Sequence, residues 1–126
     1  AITKILKGQK VPIHGDGSYV RNWIHVEDNV NAIFKIINMG NLNEVYHIAS
    51  EEEYSVNEIV SLICKKMNKK FSDVTDYSTN RSGADLRYAL NYDKLKNLGW
   101  SQERNLEDSL TDIISFYGDK INDSTI

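Results

Sequence analysis

Amphipathic helical segments alternate with short extended segments along this sequence, and this alternation constrains the fold more than any other feature. Apolar residues recur at the i, i+3, i+4, i+7 spacing of one helix face in residues 26–39, in residues 56–66 and after Asn105. Strands are predicted between the helices, at residues 44–49, 74–77 and 86–90. Because each helix must bury its apolar face against another layer, the pattern predicts an α/β class, a small mixed domain of amphipathic helices and short strands.

Several helix ends carry sequence signals of their own. Gly40 follows the first helix, Ser55 and Glu58 have the spacing of a capping box, and Asn105 can cap the third helix. Residues 1–8 also have a helical pattern, with neither a methionine nor a cap ahead of it. We therefore expect the chain to begin inside a longer protein.

Length, charge and cysteine content exclude several classes of protein. A chain of 126 residues with 40% apolar content is the size of one domain, which we assign to residues 1–121, with a frayed tail at 122–126. The net charge of −3 provides no basic surface for nucleic acid or an anionic membrane. Cys64 is the single cysteine, so it is expected to be a buried thiol rather than half of a disulfide. With no membrane span and no signal peptide, the sequence predicts a cytoplasmic protein.

Residues 12–34 join a glycine-rich turn, an arginine among apolar residues and the start of a helix. Gly15, Asp16 and Gly17 predict a turn between two short extended segments, and Arg21 lies at the start of the second. A guanidinium among residues that favour burial needs a partner of opposite charge. That partner is either a carboxylate of the chain or the phosphate of a ligand.

A second polar loop carries Arg81, and two such arginines suit a diphosphate, whose oxygens accept paired charge-assisted hydrogen bonds. Internal salt bridges are the alternative, for example Arg87 with Asp85 or Asp93. The sequence leaves both open.

The sequence shows few signs of a metal site, a cofactor motif or a catalytic set. The three histidines, His14, His25 and His47, lack the spacing of metal ligands, so we expect no metal site. The sequence contains no nucleophile elbow, no phosphate-binding loop and no dinucleotide fingerprint. Asp28 is explained as a charge at a helix start, and Asp16 and Glu27 as solvated acids, so no catalytic set is predicted in this chain.

Five segments, taken in order, resemble the C-terminal part of nucleotide-sugar 4,6-dehydratases, which belong to the extended short-chain dehydrogenase/reductase superfamily. They span most of residues 2–118 and read KGQKVPIHGDG at 7–17, VRNWIHVED at 20–28, VYHIA at 45–49, NRSGADLRY at 80–88 and KLKNLGW at 94–100. The resemblance implies an enzyme that converts dTDP-glucose or UDP-glucose to the 4-keto-6-deoxy sugar with tightly held NAD. The matched part would be the substrate-binding domain, without the N-terminal Rossmann domain that supplies the NAD loop and the catalytic residues.

The resemblance also implies roles for individual residues. Arg21 and Arg81 would hold the diphosphate, while Pro12, Ile13 and His14 would line the base pocket. His47 occupies the place of an asparagine that contacts the phosphate region in this family.

Other positions bear on the choice of base. Ser82 replaces a usual proline, and Ala84 replaces a polar residue of the dTDP enzymes. His14 stands where some UDP-glucose enzymes have histidine and many dTDP enzymes have tyrosine, which favours UDP and leaves the base open.

Two further interpretations remain. The segment RNWIHVED also resembles related epimerases and decarboxylases, although the 87–100 region favours the dehydratase. An interaction module without a ligand is the third interpretation, in which the arginines only bridge acidic neighbours. The partners implied by the leading interpretation are a UDP- or dTDP-sugar, the Rossmann domain of the same protein and, in the full-length enzyme, a second copy in a homodimer.

Overall fold

The structure, a computed structural model, describes residues 1–78 and 83–122. Helices and strands are interleaved through this part of the chain, which confirms the predicted α/β class. In chain order the elements are α1 (Ile2–Leu6), β1 (Val11–His14), β2 (Val20–Asn22), α2 (Val26–Met39), β3 (Glu53–Ser55), α3 (Val56–Lys66), α4 (Phe71–Val74), β4 (Thr75–Ser78), β5 (Arg87–Tyr88), α5 (Asp93–Lys96) and α6 (Leu106–Asn122).

The helix ends follow the sequence signals. The backbone N–H of Glu58 donates to the Ser55 hydroxyl at 3.2 Å, and the Glu58 carboxylate accepts from the Ser55 N–H at 2.7 Å, which confirms the capping box. Asn105 caps α6 by accepting from the backbone N–H of Asp108 at 2.8 Å. Helix α6 includes Asn122, which the sequence had assigned to the tail, and residues 123–126 lie outside the described part.

The strands form two small sheets. Strand β1 pairs with β4 in parallel, so that His14 lies opposite Ser78. In the other sheet β2 is central, antiparallel to β3 and parallel to β5. The β4 strand was predicted, β3 and the short α4 were missed, and the strand predicted at 86–90 is limited to Arg87–Tyr88.

The strand predicted at residues 44–49 does not form. The segment runs without a turn or bend, but no strand lies beside it in the described residues. A strand is defined by its hydrogen-bonded neighbour, so an alternating pattern alone cannot produce one.

Two hydrophobic clusters make the core. The larger joins α1, β1, α3 and α6 and includes Ile13, which is fully buried, and Cys64. Burial raises the pKa of the Cys64 thiol, in agreement with the predicted buried cysteine. The smaller cluster packs Trp100 and Tyr92 against one side of α2. Residues 15–19 connect β1 to β2.

The glycine turn is fixed by contact with the start of α3. The backbone N–H of Asn57 donates to the Gly17 carbonyl at 3.1 Å, and the Asn57 side chain donates to the Asp16 carbonyl at 2.7 Å. Gly17 has a φ of +75°, and a Cβ atom there would lie 2.1 Å from Asn57 Oδ1. Only glycine combines this backbone conformation with so close an approach.

Candidate functional site

Strand β1 presents the three residues predicted to line a base pocket, but in different ways. Pro12 and His14 are exposed, whereas the Ile13 side chain points into the core with no exposed surface. This alternation follows from the two-residue period of a strand. Any contact of Ile13 with a ligand is therefore restricted to its backbone.

His14 contacts a serine at the end of β4. Its Nδ1 lies 2.9 Å from the Ser78 hydroxyl, which is also 3.3 Å from the Ile13 carbonyl. In a nucleophilic triad the histidine is oriented by a carboxylate on its second nitrogen. Among the described residues no acid bonds to His14, so the pair lacks the orienting carboxylate of such a triad.

Arg21 lies half-buried in the central strand β2. One of its terminal nitrogens donates to the Val20 carbonyl at 2.6 Å. The guanidinium carbon is 6.0 Å from the centre of the Tyr19 ring and 5.8 Å from that of Tyr88. Within residues 1–78 and 83–122 no carboxylate lies within 4.0 Å of Arg21.

Arg87 differs from Arg21 because it has a carboxylate partner. Its Nε and Nη2 each donate to Glu53 at 2.7 Å, a two-point contact that raises the pKa of Arg87 and lowers that of Glu53. The salt bridge expected for Arg87 is thus present, but with Glu53 and not with Asp85 or Asp93. The reason is register, because β5 and β3 flank β2 and bring these two side chains together across it.

His47 lies in the exposed segment 44–49. Its Nδ1 is 3.3 Å from the carbonyl of Asn91, a residue of the chain that follows β5. The residue is exposed.

One continuous stretch of chain, residues 78–91, contacts three of the residues predicted from the sequence. Ser78 bonds to His14, Tyr88 lies beside Arg21, and Asn91 bonds to His47. Arg81 and Ser82 belong to this stretch but lie outside the described residues, and Ala84 is half-buried. No local sequence pattern pointed to Ser78 or Asn91. Tyr19 and Tyr88, the rings beside Arg21, could have been found only from the strand register.

The acidic residues near this region have structural roles. Asp16 accepts from the backbone N–H of Ser18 at 2.9 Å, and its hydrogen bonds from Ser18 lower its pKa. The side chain of Asp28 is buried and accepts from the backbone N–H groups of Glu103 and Arg104 at 3.2 and 3.1 Å. Asp28 therefore anchors the loop before α6, a role the sequence did not reveal. Glu27 forms an exposed ion pair with Arg104.

The resemblance implies that the catalytic residues of the Rossmann domain include a Tyr-x-x-x-Lys pair, which was not expected in this chain. The same spacing nevertheless occurs here once, at Tyr92 and Lys96. Tyr92 is 8% exposed, and its ring packs edge-on against Trp100 in the smaller core cluster. Burial is the main cause that raises the pKa of Tyr92, the opposite of what an activated phenol requires. Lys96 is paired with Glu51 at 2.7 Å. The spacing reflects the packing of α5 and not a catalytic pair.

An apolar groove of about 660 Å³ lies elsewhere, between α1, α3, α6 and the start of α2. Trp23, Ile113 and Phe116 are among its lining residues, and none of the predicted site residues lines it. Among the described residues, no group of three potential ligands could hold a metal ion. No described helix is both long enough and apolar enough to cross a membrane.

The fold is that of a small α/β domain, and Arg21 in its central strand β2 lacks a carboxylate partner among the described residues. A family model described as GDP-mannose 4,6 dehydratase matches residues 1–113. The chain belongs to this family.

Individual relatives indicate the kind of enzyme that the chain is similar to. The chain is 37% identical over 112 residues to the trifunctional UDP-glucose 4,6-dehydratase/UDP-4-keto-6-deoxy-D-glucose 3,5-epimerase/UDP-4-keto-L-rhamnose-reductase of Arabidopsis thaliana, a match that covers 89% of this chain and 17% of that protein. It also resembles the crystal structure of dTDP-glucose 4,6-dehydratase from Bacillus anthracis in complex with NAD, with 34% identity, a TM-score of 0.88 and coverage of 96% of this chain and 38% of that one. These matches confirm the resemblance to nucleotide-sugar 4,6-dehydratases.

The same fold occurs in an enzyme of different activity. The UDP-glucose 4-epimerase of Thermotoga maritima, solved with UDP-glucose, is 29% identical, with a TM-score of 0.86 and coverage of 95% of this chain and 38% of that one. The chain spans less than two fifths of the length of each of these three relatives.

Proposed function

We propose that this chain binds the nucleotide diphosphate of an NDP-glucose as the C-terminal, substrate-binding part of a cytoplasmic NDP-glucose 4,6-dehydratase. The whole enzyme would convert NDP-glucose to NDP-4-keto-6-deoxyglucose and water. On this proposal residues 1–121 form the binding domain and a Rossmann domain of the same polypeptide supplies the rest, so the chain alone is inactive.

Arg21 is the observation that carries the proposal. Its guanidinium is half-buried, lies beside two tyrosine rings and lacks a carboxylate partner among the described residues. Because stranding a charge away from water is costly, an arginine kept in this state suits an anion that arrives with a ligand. Arg87, in the next strand, shows the contrasting case of an arginine already neutralised by the chain.

The contacts of residues 78–91 indicate which residues would surround the ligand. It connects the surroundings of His14, Arg21 and His47, so we place the diphosphate near Arg21 and Arg81, and the base near Pro12, the Ile13 backbone and His14. His14 favours UDP as the nucleotide.

NAD belongs to the proposed whole enzyme and not to this chain. Bound NAD would accept and return a hydride during the reaction. The sequence contains no glycine-rich dinucleotide turn, the motif that holds the pyrophosphate of NAD in a dinucleotide-binding unit. We therefore assign neither a cofactor contact nor a step of the hydride transfer to the residues of this chain.

Titration calorimetry of the longer polypeptide with UDP, dTDP and their glucose adducts tests the proposal. We expect saturable binding of at least one nucleoside diphosphate and its glucose adduct. The nucleoside diphosphate without the sugar should retain much of the affinity of the adduct. Failure of all four to bind, or to raise the melting temperature by mass action, would favour an interaction module without a ligand.

A related epimerase is the second candidate, favoured by the fold shared with the Thermotoga maritima enzyme. Product analysis distinguishes the two. A dehydratase forms a 4-keto-6-deoxy sugar with loss of water, whereas an epimerase releases a C4 epimer of unchanged mass.

A further inference from the structure

The Ser78 hydroxyl lies between two groups of strand β1. Its Oγ is 2.9 Å from Nδ1 of His14 and 3.3 Å from the carbonyl oxygen of Ile13. The Ser78 carbonyl also accepts from the backbone N–H of Gly15 at 3.3 Å, and the parallel register of β1 and β4 puts Ser78 opposite His14. The hydroxyl is therefore held beside the imidazole by the pairing of the two strands.

A hydroxyl has one proton, so only one arrangement of protons satisfies both contacts. In that arrangement the Nδ1–H of His14 donates to Ser78, and the Ser78 hydroxyl donates to the Ile13 carbonyl. If Ser78 donated to Nδ1 instead, its oxygen would face the carbonyl oxygen of Ile13 at 3.3 Å with no proton between them. The tautomer of a neutral histidine follows the hydrogen bond that one of its nitrogens makes. These contacts therefore favour a neutral His14 with its proton on Nδ1.

The second ring nitrogen of His14 is left as an acceptor. His14 is exposed, and within residues 1–78 and 83–122 its Nε2 has no hydrogen-bond partner. With the proton on Nδ1, Nε2 has a lone pair and no proton. It can therefore bind only a ligand group that donates.

We propose that Ser78 is a positioning residue, which holds the proton of His14 on Nδ1 so that Nε2 accepts a hydrogen bond from the N3–H of a uracil or thymine base. This inference deepens the proposed function and rests on it, since the proposed function puts the base near His14. N3–H is the one N–H donor on the ring of either base in a nucleotide. An acceptor at Nε2 thus has a single partner on these two bases.

The same contact disfavours a cytosine base. N3 of cytosine has no proton, so two acceptors would face each other across the contact. Uracil and thymine share the N3–H group and differ at C5. The contact therefore selects both of them against cytosine and does not separate one from the other.

Nitrogen NMR of the histidine rings in the full-length protein tests the tautomer. At about pH 8.5, above the ordinary pKa of histidine, we expect the His14 ring to have its proton on Nδ1, with the signal identified by comparison with His14→Gln. Ser78→Ala removes the hydroxyl and should move the population toward Nε2–H, whereas Ser78→Thr keeps a hydroxyl and should retain Nδ1–H. A wild-type ring with its proton on Nε2, or a Ser78→Ala ring unchanged from wild type, would overturn the proposal.

Calorimetry tests the contact with the base. It uses UDP or dTDP, whichever the wild type binds more tightly, and the N3-methyl derivative of the same nucleotide. Because methylation removes N3–H, we expect it to raise the dissociation constant of the wild type at least about tenfold. Ser78→Ala lowers the fraction of His14 in the competent tautomer, so it should raise the dissociation constant for the unmodified nucleotide about fivefold and that for the methyl derivative by less than about twofold.

Ser61→Ala is the control for this titration, since Ser61 is an exposed serine of α3. It should leave both dissociation constants unchanged. Equal effects of Ser78→Ala on the two ligands would contradict the proposal, because the serine would then not act through the N3–H contact.

Failure of this inference and failure of the proposed function give different results. A full-length wild type that binds neither UDP nor dTDP rejects the proposed function and the base contact with it. A wild type that binds one of them, with the proton of His14 on Nε2 or with equal effects of Ser78→Ala on the two ligands, rejects the role of Ser78 alone.

Discussion

Arg87 and Glu53 are joined across β2 by two hydrogen bonds of 2.7 Å, from one outer strand of the sheet to the other. Arg21, in the strand between them, has no such partner among the described residues. In the register of β2 and β5, Arg87 lies opposite Val20, the residue before Arg21. The two neighbouring arginines thus differ in kind, because Arg87 is paired with a carboxylate of the sheet and Arg21 is not paired with one among the described residues.

The ion pair predicts an acid-dependent stability. Hydrogen bonding from Arg87 lowers the pKa of Glu53 from its ordinary value of 4.5. A carboxyl with a lowered folded pKa contributes stability that is present above the unfolded pKa and is lost as the pH falls through the folded one. We expect Glu53→Gln to lower the melting temperature at pH 7, with the difference from wild type shrinking below about pH 4.

Asp119→Asn is the control for this experiment, since Asp119 is an exposed carboxylate in α6. It should change the melting temperature little at either pH. If the difference in melting temperature between Glu53→Gln and wild type stays constant down to pH 3, the charge on Glu53 does not stabilise the sheet.

The geometry of the turn indicates that position 17 requires glycine. Gly17→Ala adds both an unfavourable positive φ and an overlap with the Asn57 side chain, so we expect a loss of about 2 kcal/mol or more in the free energy of unfolding. Gly8 has a similar φ of +67° with no atom within 4 Å of an added Cβ. Gly8→Ala should therefore cost only about 1 kcal/mol in urea unfolding. Equal losses would mean that the contact with Asn57 is unimportant.

The burial of Asp28 and its two hydrogen bonds indicate that it anchors the loop before α6 and is not an acid–base group. Asp28→Asn keeps the shape but leaves one of the two backbone N–H groups, of Glu103 or Arg104, without its acceptor, which should cost about 2 kcal/mol in the free energy of unfolding. Glu27→Gln, which breaks an exposed ion pair one residue away, should cost less than about 1 kcal/mol. If the midpoint of urea unfolding of Asp28→Asn equals that of wild type, the loop before α6 is held by contacts other than those of Asp28.

Local signals accounted for much of the fold. Helix α2 was predicted from its apolar period and Gly40, and α3 from Ser55 and Glu58, because capping and periodicity depend on residues within a few positions of one another. The buried Cys64 followed from the same helix pattern.

Long-range relationships were not accessible in this way. The partner of Arg87 depends on the order β3–β2–β5, which no local pattern encodes. The anchor at Asp28 depends on a loop some 75 positions away. Residues 44–49 have the alternation of a strand, yet without a neighbouring strand in the described chain the prediction fails.

The candidate site was reached through resemblance to a family and not through geometry. Arg21 and His14 were named from that resemblance, and the structure adds what surrounds them, namely the tyrosine rings at Arg21 and Ser78 at His14. The full burial of Ile13 limits the role that the resemblance implied for its side chain.

The affinity of an Arg21→Ala variant for the nucleoside diphosphate tests the central claim most directly. In the full-length protein we expect the dissociation constant for UDP-glucose or dTDP-glucose to rise at least about thirtyfold, since a charge-assisted contact is worth about 2 kcal/mol. The melting temperature without ligand should stay within about 2 °C of wild type, because Arg21 holds no carboxylate in the described chain. Arg104→Ala, which removes an exposed arginine paired with Glu27, should leave the dissociation constant unchanged. Binding by Arg21→Ala as tight as that of wild type would contradict the account.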